Sequence, residues 1–571
     1  MTLRILAVAL LAGAGMSHAA VAVRVLLGVG DQAETDWSGG IAAQGAAIAA
    51  VEPWRFDTGD AMLPGNRWKM ASRRIRLFGA AATPPAAGAP RLQFAPTTPV
   101  NRPFSANGVV VLLTGETEDS TLEVRTPRGV FSVRLSEIPY GRTKSGLDGK
   151  AVAERVPPFE RITSDAQEQD QPAAVTDSSG NVWLAYLEFK HSPDQDKIRN
   201  TPNNFENMTV KPGGDQILLR KCANGSWSDA IAITPPGGDL WRPAIAVDGK
   251  GRPWVFWSAN DRGDFDIWAR TIENGRPGAT ERISNAPGSD IDPVAATDSS
   301  GRVWVAWQGW RNGKASIFAK VQEGNSFSGT ATVSSSSGNE WNPAIAADSG
   351  GRVTVAWDSY RNGNYDVFAR TATGGAWGKE MGVATSSLYE AYPSIAYDPA
   401  GTLWVAYEEG AERWGKDYGA YASSGVPVYA GRAIRLRGFA KDGRVIEPSA
   451  EAGEALPGEP GDPALDLVPQ SRSGDWQKTQ PDAWKNRGPN LAAAAPGYAR
   501  PGPRNTMARL KVDASGRLWL ACRSKHPYFW SPLGTVWTEF VTSYANSEWT
   551  RAIYVHHSDN LLDNRPALVS I

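Results

Sequence analysis

Chemistry-bearing residue types recur at fixed places in the 571-residue chain. The residues preceding Pro172, Pro243, Pro293, Pro343, Pro393 and Pro566 are Gln171, Arg242, Asp292, Asn342, Tyr392 and Arg565. A second set falls in Gly-containing loops: Arg311, Arg361, Glu408 and Trp414, with Asp261, Arg262, Trp310, Asp358 and Tyr360 around them. Arginines among carboxylates and aromatics suit recognition of a carbohydrate or a peptide. Carboxylates in the same set could serve glycoside hydrolysis, which needs two acids about 5–10 Å apart. Arg242, Arg311 and Arg361 with Tyr392 could also assemble three convergent arginines beside a tyrosine nucleophile.

Other chemistries find less support. His556 and His557 with Asp559 fit no zinc spacing. Asp261, Asp264 and Asp266 could offer oxygens to Ca²⁺, but the next unit has Lys314 and Ser316 at the matching places. No metal and no cofactor is expected. Lys and Arg number 59 against 60 Asp and Glu, so nothing in the global charge favours nucleic acid or anionic lipid. Cys222 and Cys522 are the two cysteines, read as free buried thiols.

The elements that must position these residues repeat. WRPAIAVDGKGRPWVFW, IDPVAATDSSGRVWVAW, WNPAIAADSGGRVTVAW and AYPSIAYDPAGTLWVAY begin at residues 241, 291, 341 and 391, a step of 50. Each unit reads as four short strands separated by Gly and Asp turns, with period-2 apolar patterning and no helical period. Four strands per unit of roughly 40–50 residues is the arithmetic of a propeller blade. Asp177, Asp248, Asp298, Asp348, Asp398 and Asp513 open the D-x-x-G turns. An Asp there bonds backbone N–H groups two residues on, so these six are read as structural. A position kept in every unit serves the fold, whereas one that varies is free to serve a ligand.

The pattern P-x-x-x-x-D-x-x-G-[RK]-x-x-x-V-x-W-x-S-x-R-x-G-x-x-D-[IV]-[WF], closest at DSYRNGNYDVFAR (358–370), resembles the WD-like repeat of TolB-type periplasmic propellers. The resemblance covers roughly residues 160–571 and bears on architecture more than on activity. The D-x-x-G-x-x-W core is similar to the Asp-box of sialidases, with one extra residue between Asp and Gly that counts against that reading.

The expected organisation is all-β. Residues 1–20, MTLRILAVALLAGAGMSHAA, read as a cleaved secretory signal peptide. Residues 21–157 carry no repeat and read as a β-sandwich, in which Trp37, Trp54 and Trp68 could form a sugar-stacking platform. Residues 158–571 read as a six/seven-bladed propeller of four-stranded antiparallel blades, with surface insertions near 190–213 and 411–505. No later segment is apolar enough to span a bilayer. Residues 160–165, ERITSD, match the end of a blade and are expected to pair with the seventh unit opened by RPALVSI (565–571). That unit looks incomplete, and proteins of similar plan can continue into a PHP-like metal-dependent phosphoesterase domain. The functional expectation is an exported, monomeric binding or scaffolding protein for a carbohydrate or peptide. The alternatives are a glycoside hydrolase, sialidase-like or other, using carboxylates and arginines on the same face, or the non-catalytic N-terminal region of a larger metal-dependent hydrolase.

Overall fold

A computed structural model describes residues 8–11, 21–29, 38–57, 75–77, 92–94, 105–126, 129–139, 143–148, 151–156, 162–163, 167–194, 213–361, 363–410, 432–452, 455–456, 505–527, 535–550, 552–554 and 566–570. Strands dominate, as the period-2 patterning requires. Six antiparallel sheets follow one another, each with its strands paired in sequence order. Their innermost strands are Glu168–Thr176, Leu240–Val247, Asp290–Thr297, Asn339–Ala347, Glu390–Tyr397 and Asn505–Val512. Each abuts the next, and a seventh inner strand, Ala567–Ser570, packs between the first and the sixth. Seven inner strands therefore close a ring around one axis, which is a β-propeller.

Each blade is held at one end by its D-x-x-G turn. Gly301 sits at φ 77°, a left-handed conformation that a Cβ disfavours, and its N–H donates to the Asp298 carbonyl at 2.9 Å. Asp298 Oδ1 accepts from the Ser300 and Arg302 amides at 2.9 and 3.0 Å, while Oδ2 accepts the Trp304 indole N–H at 2.9 Å. The same Asp-to-indole bond recurs from Trp183, Trp254, Trp404 and Trp519. The Trp that follows each of these turns is thus the partner of the turn carboxylate. Blade four lacks it, and Thr354 bonds Thr371 and the Tyr397 hydroxyl instead, at 2.6 Å each.

Burial would push these carboxyls up, but the indole, amide and guanidinium donors outweigh it. Asp177, Asp248, Asp298, Asp348 and Asp513 are accordingly all held below the usual carboxylate range.

Before the propeller lie a five-stranded sheet and a three-stranded sheet (Ile41–Gln44, Thr121–Thr126 and Gly129–Arg134), with a second, small three-stranded sheet beside them, all from residues 21–156. The first two sheets pack together. They share a core that includes Val23, Val25, Ile41, Val111, Leu122 and Phe131. The other face of the larger sheet, through Ala22, Val110 and Val156, packs with Leu510, Leu520 and Leu456 of the propeller. The side chains of Trp37, Trp54 and Trp68 lie outside the described residues.

Two expectations about the propeller change. Ile162 and Thr163 form no strand. Ile162 instead fills a pocket with Leu184, Tyr186 and Leu218 of blade one. In a four-stranded blade the outermost strand pairs with the third, so it cannot reach an innermost strand such as Ala567–Ser570. That strand pairs in parallel with Val8–Leu11, inside the expected leader, in the register Val8↔Ala567.

The second change concerns the part of the 411–505 surface insertion that begins at Ser449. Its first residues dock on blade six: Ser449 Oγ lies 2.9 Å from the Tyr544 hydroxyl, and the Trp549 indole donates to the Ala450 carbonyl at 2.8 Å. Leu456 is wholly buried there. Residues 457–500 lie outside the described set. Cys222 and Cys522 are free and buried, as expected, and burial pushes the Cys522 thiol far up.

Candidate functional site at the channel mouth

At the end of each inner strand opposite the Asp turn, the strand carries a bulge. Pairing with the second strand slips between Asp170 and Ala173, Trp241 and Ala244, Ile291 and Val294, Trp341 and Ala344, Ala391 and Ser394, and Thr506 and Arg509. At each bulge one non-glycine residue takes a left-handed backbone: Gln171 (φ 55°), Arg242 (36°), Asp292 (56°), Asn342 (51°), Tyr392 (53°) and Met507 (55°). Residues before proline are driven toward extended conformations, and a left-handed non-glycine residue costs on the order of 1–3 kcal/mol. Strain repeated six times at one height must be held by its surroundings, and it re-aims six side chains.

Those six side chains line one cavity of about 290 Å³ on the propeller axis, with Arg509 and Lys511 also in its wall. Asp292 is oriented from the preceding blade. Its Oδ1 accepts the Trp241 indole N–H at 3.0 Å and lies 3.2 Å from Arg242 Nη1. The Arg242 guanidinium in turn sits 5.5 Å from the Trp241 ring centre. Trp241, Trp310 and Tyr392 remain 38%, 46% and 41% exposed, and all three sit at the mouth end of their strands. Among the described residues the other exposed large hydrophobics are only Val130 and Val445, both remote from it.

The remaining sequence candidates fall elsewhere. Arg311 makes two bonds to the fully buried Asp290, at 2.8 and 2.7 Å, and lies 5.1 Å from the Phe318 ring centre. Arg361 repeats this one blade on, bonding the fully buried Glu340 at 2.8 Å and Glu380 at 2.6 Å over Phe368. Both clamp the second strand to the start of the inner strand, so the repeat marks them as structural. Glu408 is buried beneath the wall rather than exposed in a loop. Trp414 lies outside the described residues. Among the described residues no group of His, Cys, Asp and Glu could hold a metal ion, Asp261, Asp264 and Asp266 included.

The sequence reading missed Met507, because Ala508 replaces the marker proline. Counting six residues back from Asp513, as from the other turn aspartates, would have found it.

A further layer lies under the wall. Ten residues after the turn Asp, the second strands carry Ser258, Gln308, Asp358 and Glu408. Gln308 Oε1 accepts the Asn342 amide N–H at 3.1 Å, Asp358 Oδ2 that of Tyr392 at 3.0 Å, and Glu408 Oε1 that of Met507 at 2.9 Å. Each strained residue of blades four to six is thus held by the preceding blade. Asp358 Oδ2 also accepts from Asn342 Nδ2 at 2.9 Å. Burial pushes the Asp358 and Glu408 carboxyls up to about 7. Glu539, likewise enclosed, is pushed up by burial to about 7, with Arg523 acting against the rise.

No family model and no curated protein matches the chain. Solved structures do align with it. NanB with optactamide is 8% identical over 94% of each chain, with a TM-score of 0.39. The Hadza microbial sialidase Hz136 is 12% identical, covering 72% of this chain and 87% of its own, at a TM-score of 0.34. The endo-arabinase from Bacteroides thetaiotaomicron is 16% identical over 42% of this chain and 88% of its own, at a TM-score of 0.28.

Proposed function

We propose that the protein is a saccharide-binding propeller whose ligand enters the channel mouth. The carrying observation is the combination there of exposed indole and phenol faces with a ring of polar, backbone-strained side chains. Sugars present apolar C–H faces for stacking and hydroxyls for hydrogen bonding. Trp241, bonded to Asp292, and Tyr392 offer the first partner, and Gln171, Asn342, Asp292 and Arg242 the second. A cavity of about 290 Å³ suits one or two sugar rings. The TolB-like repeat agrees with a propeller that presents a binding face, and export through a cleaved leader and a monomeric state belong to the same proposal.

Hydrolysis is the second reading. Asp358 and Glu408, at about 7, lie in the range of a general acid. Yet Asp358 is fully buried behind Asn342 and Tyr392, and among the described residues the wall itself offers one carboxylate, Asp292, where glycosidic cleavage needs two. A sialidase-like arginine trio is further weakened by the structural clamps of Arg311 and Arg361. A broad glycan array run beside chromogenic glycosides tests the choice: retention of glycans without release of chromophore is expected. Turnover of any glycoside that is lost in Asp358→Asn would replace binding by hydrolysis.

A further inference from the structure

The hydrogen bonds beneath the mouth connect three of the six strained wall residues, Asn342, Tyr392 and Met507, to a titrating or amide side chain of the preceding blade. We propose that Gln308, Asp358 and Glu408 are positioning residues of the channel-mouth site, and that protonation of the two carboxylates couples its affinity to pH. This rests on the mouth being the ligand site.

The argument begins with the backbone. A left-handed non-glycine residue, whether before proline like Asn342 and Tyr392 or before Ala508 like Met507, has no intrinsic reason to keep that conformation. Its N–H points sideways toward the neighbouring blade, where an acceptor of the right length fixes it. Gln308, Asp358 and Glu408 differ in side-chain type but perform the same act on Asn342, Tyr392 and Met507. Ser258, at the matching place in blade two, is too short, and its buried hydroxyl has no partner among the described atoms. There Asp292 is steadied through its side chain by Trp241 and Arg242 instead.

Two of the three acceptors carry a proton or a charge, and the difference matters. A charged carboxylate accepts roughly twice as strongly as a neutral group, so deprotonation tightens the hold on Tyr392 and Met507. Asp358 faces Asn342, Tyr392 and the charge of Glu408, with its Oδ1 buried and lacking a partner. Glu408 faces Arg432, Arg523 and Arg509, which favour its charged form against burial; Tyr389 and Cys522 feel its charge in turn. Both groups are enclosed already, so a ligand adds little desolvation and acts by tightening the N–H bonds. Affinity therefore rises with pH across neutrality.

Gln308 supplies the control, since it shows that an amide at this position makes the bond without titrating. The test uses the full chain labelled with ¹³C-methyl methionine and ¹⁵N-tyrosine, titrated from about pH 5.5 to 8.5. The Met507 methyl and Tyr392 amide resonances should move with midpoints near 7. Glu408→Gln should abolish the first movement and Asp358→Asn the second. Resonances that stay flat, or that titrate unchanged in these variants, overturn the positioning role.

Lactose and sialyllactose serve as neutral and acidic binding probes. Whichever binds should do so about tenfold more tightly at about pH 8 than at about pH 6, and the double variant should reduce this to less than about twofold. Glu408→Ala should cost about tenfold at the higher pH, with Glu408→Gln recovering most of it. A pH-independent affinity beside titrating resonances overturns the coupling. Failure of every saccharide on the array overturns the proposed function, while the spectra still decide the positioning role.

Discussion

The two ends of the inner strands use the same residue type to opposite effect. At the turn end, Asp248, Asp298 and Asp348 are buried and Asp177 and Asp513 half-buried, yet all five are satisfied by amides and, in all but Asp348, by an indole, and are held below the usual carboxylate range. At the mouth end, Asp358 and Glu408 are enclosed, accept few bonds, and are pushed up to about 7. Repetition accompanies the first arrangement and variation the second. One end of the propeller is optimised for holding the blades together. The other carries strain and incompletely paired charge, the pattern expected where a ligand completes the structure.

The contrast predicts how stability depends on pH, and this is the largest expected effect. Asp358, Glu408 and Glu539 have folded values raised to about 7, so the stabilisation they contribute is fully present below the unfolded carboxylate range. It is lost as pH rises through about 7. The turn aspartates have lowered values, so their contribution survives above the unfolded range and is lost only as pH falls below it. Calorimetry should find maximal stability near about pH 4, with a fall of several kcal/mol spread between there and about pH 7. The Asp358→Asn, Glu408→Gln variant should flatten the alkaline limb. Affinity, by contrast, should rise across neutrality, and a purely structural network would not separate the two.

Arg361→Ala comes next. It leaves Glu340, fully buried, without its guanidinium partner, and breaking such a pair costs about 3–5 kcal/mol. Chemical denaturation would measure it. A loss under about 1 kcal/mol would return Arg361 to the class of exposed loop charges.

Much of this was legible before any coordinates. The step of 50 residues, the D-x-x-G turns and the period-2 strands fixed the blade, because backbone pairing and turn geometry are written locally. Variation before the proline pointed to Arg242, Asp292, Asn342 and Tyr392, which do share one cavity. Arg311 and Arg361 were less legible, since an arginine in a loop looks the same whether its carboxylate partner is Asp290 or water. Their equal spacing from each other was the available signal. Glu408 read as a loop acid because strand ends are uncertain by a residue or two. Its register opposite Ala391, inside the blade, decides its burial. The left-handed backbone of six non-glycine residues leaves no mark in composition, and the closure of the seventh position depends on contacts remote in sequence.

The central claim is that holding and binding are segregated to the two ends. It is tested most directly by measuring melting temperature and saccharide affinity together in Asp298→Ala and Trp241→Ala. Asp298→Ala removes the acceptor of the Trp304 indole and of the Ser300 and Arg302 amides. It should cost about 2–3 kcal/mol of stability with affinity unchanged. Trp241→Ala removes an exposed ring and the donor that orients Asp292. It should weaken binding by about tenfold or more while moving stability by less than about 0.5 kcal/mol. Variants that each shift both quantities, or an Asp298→Ala protein that melts normally and fails to bind, would contradict the segregation.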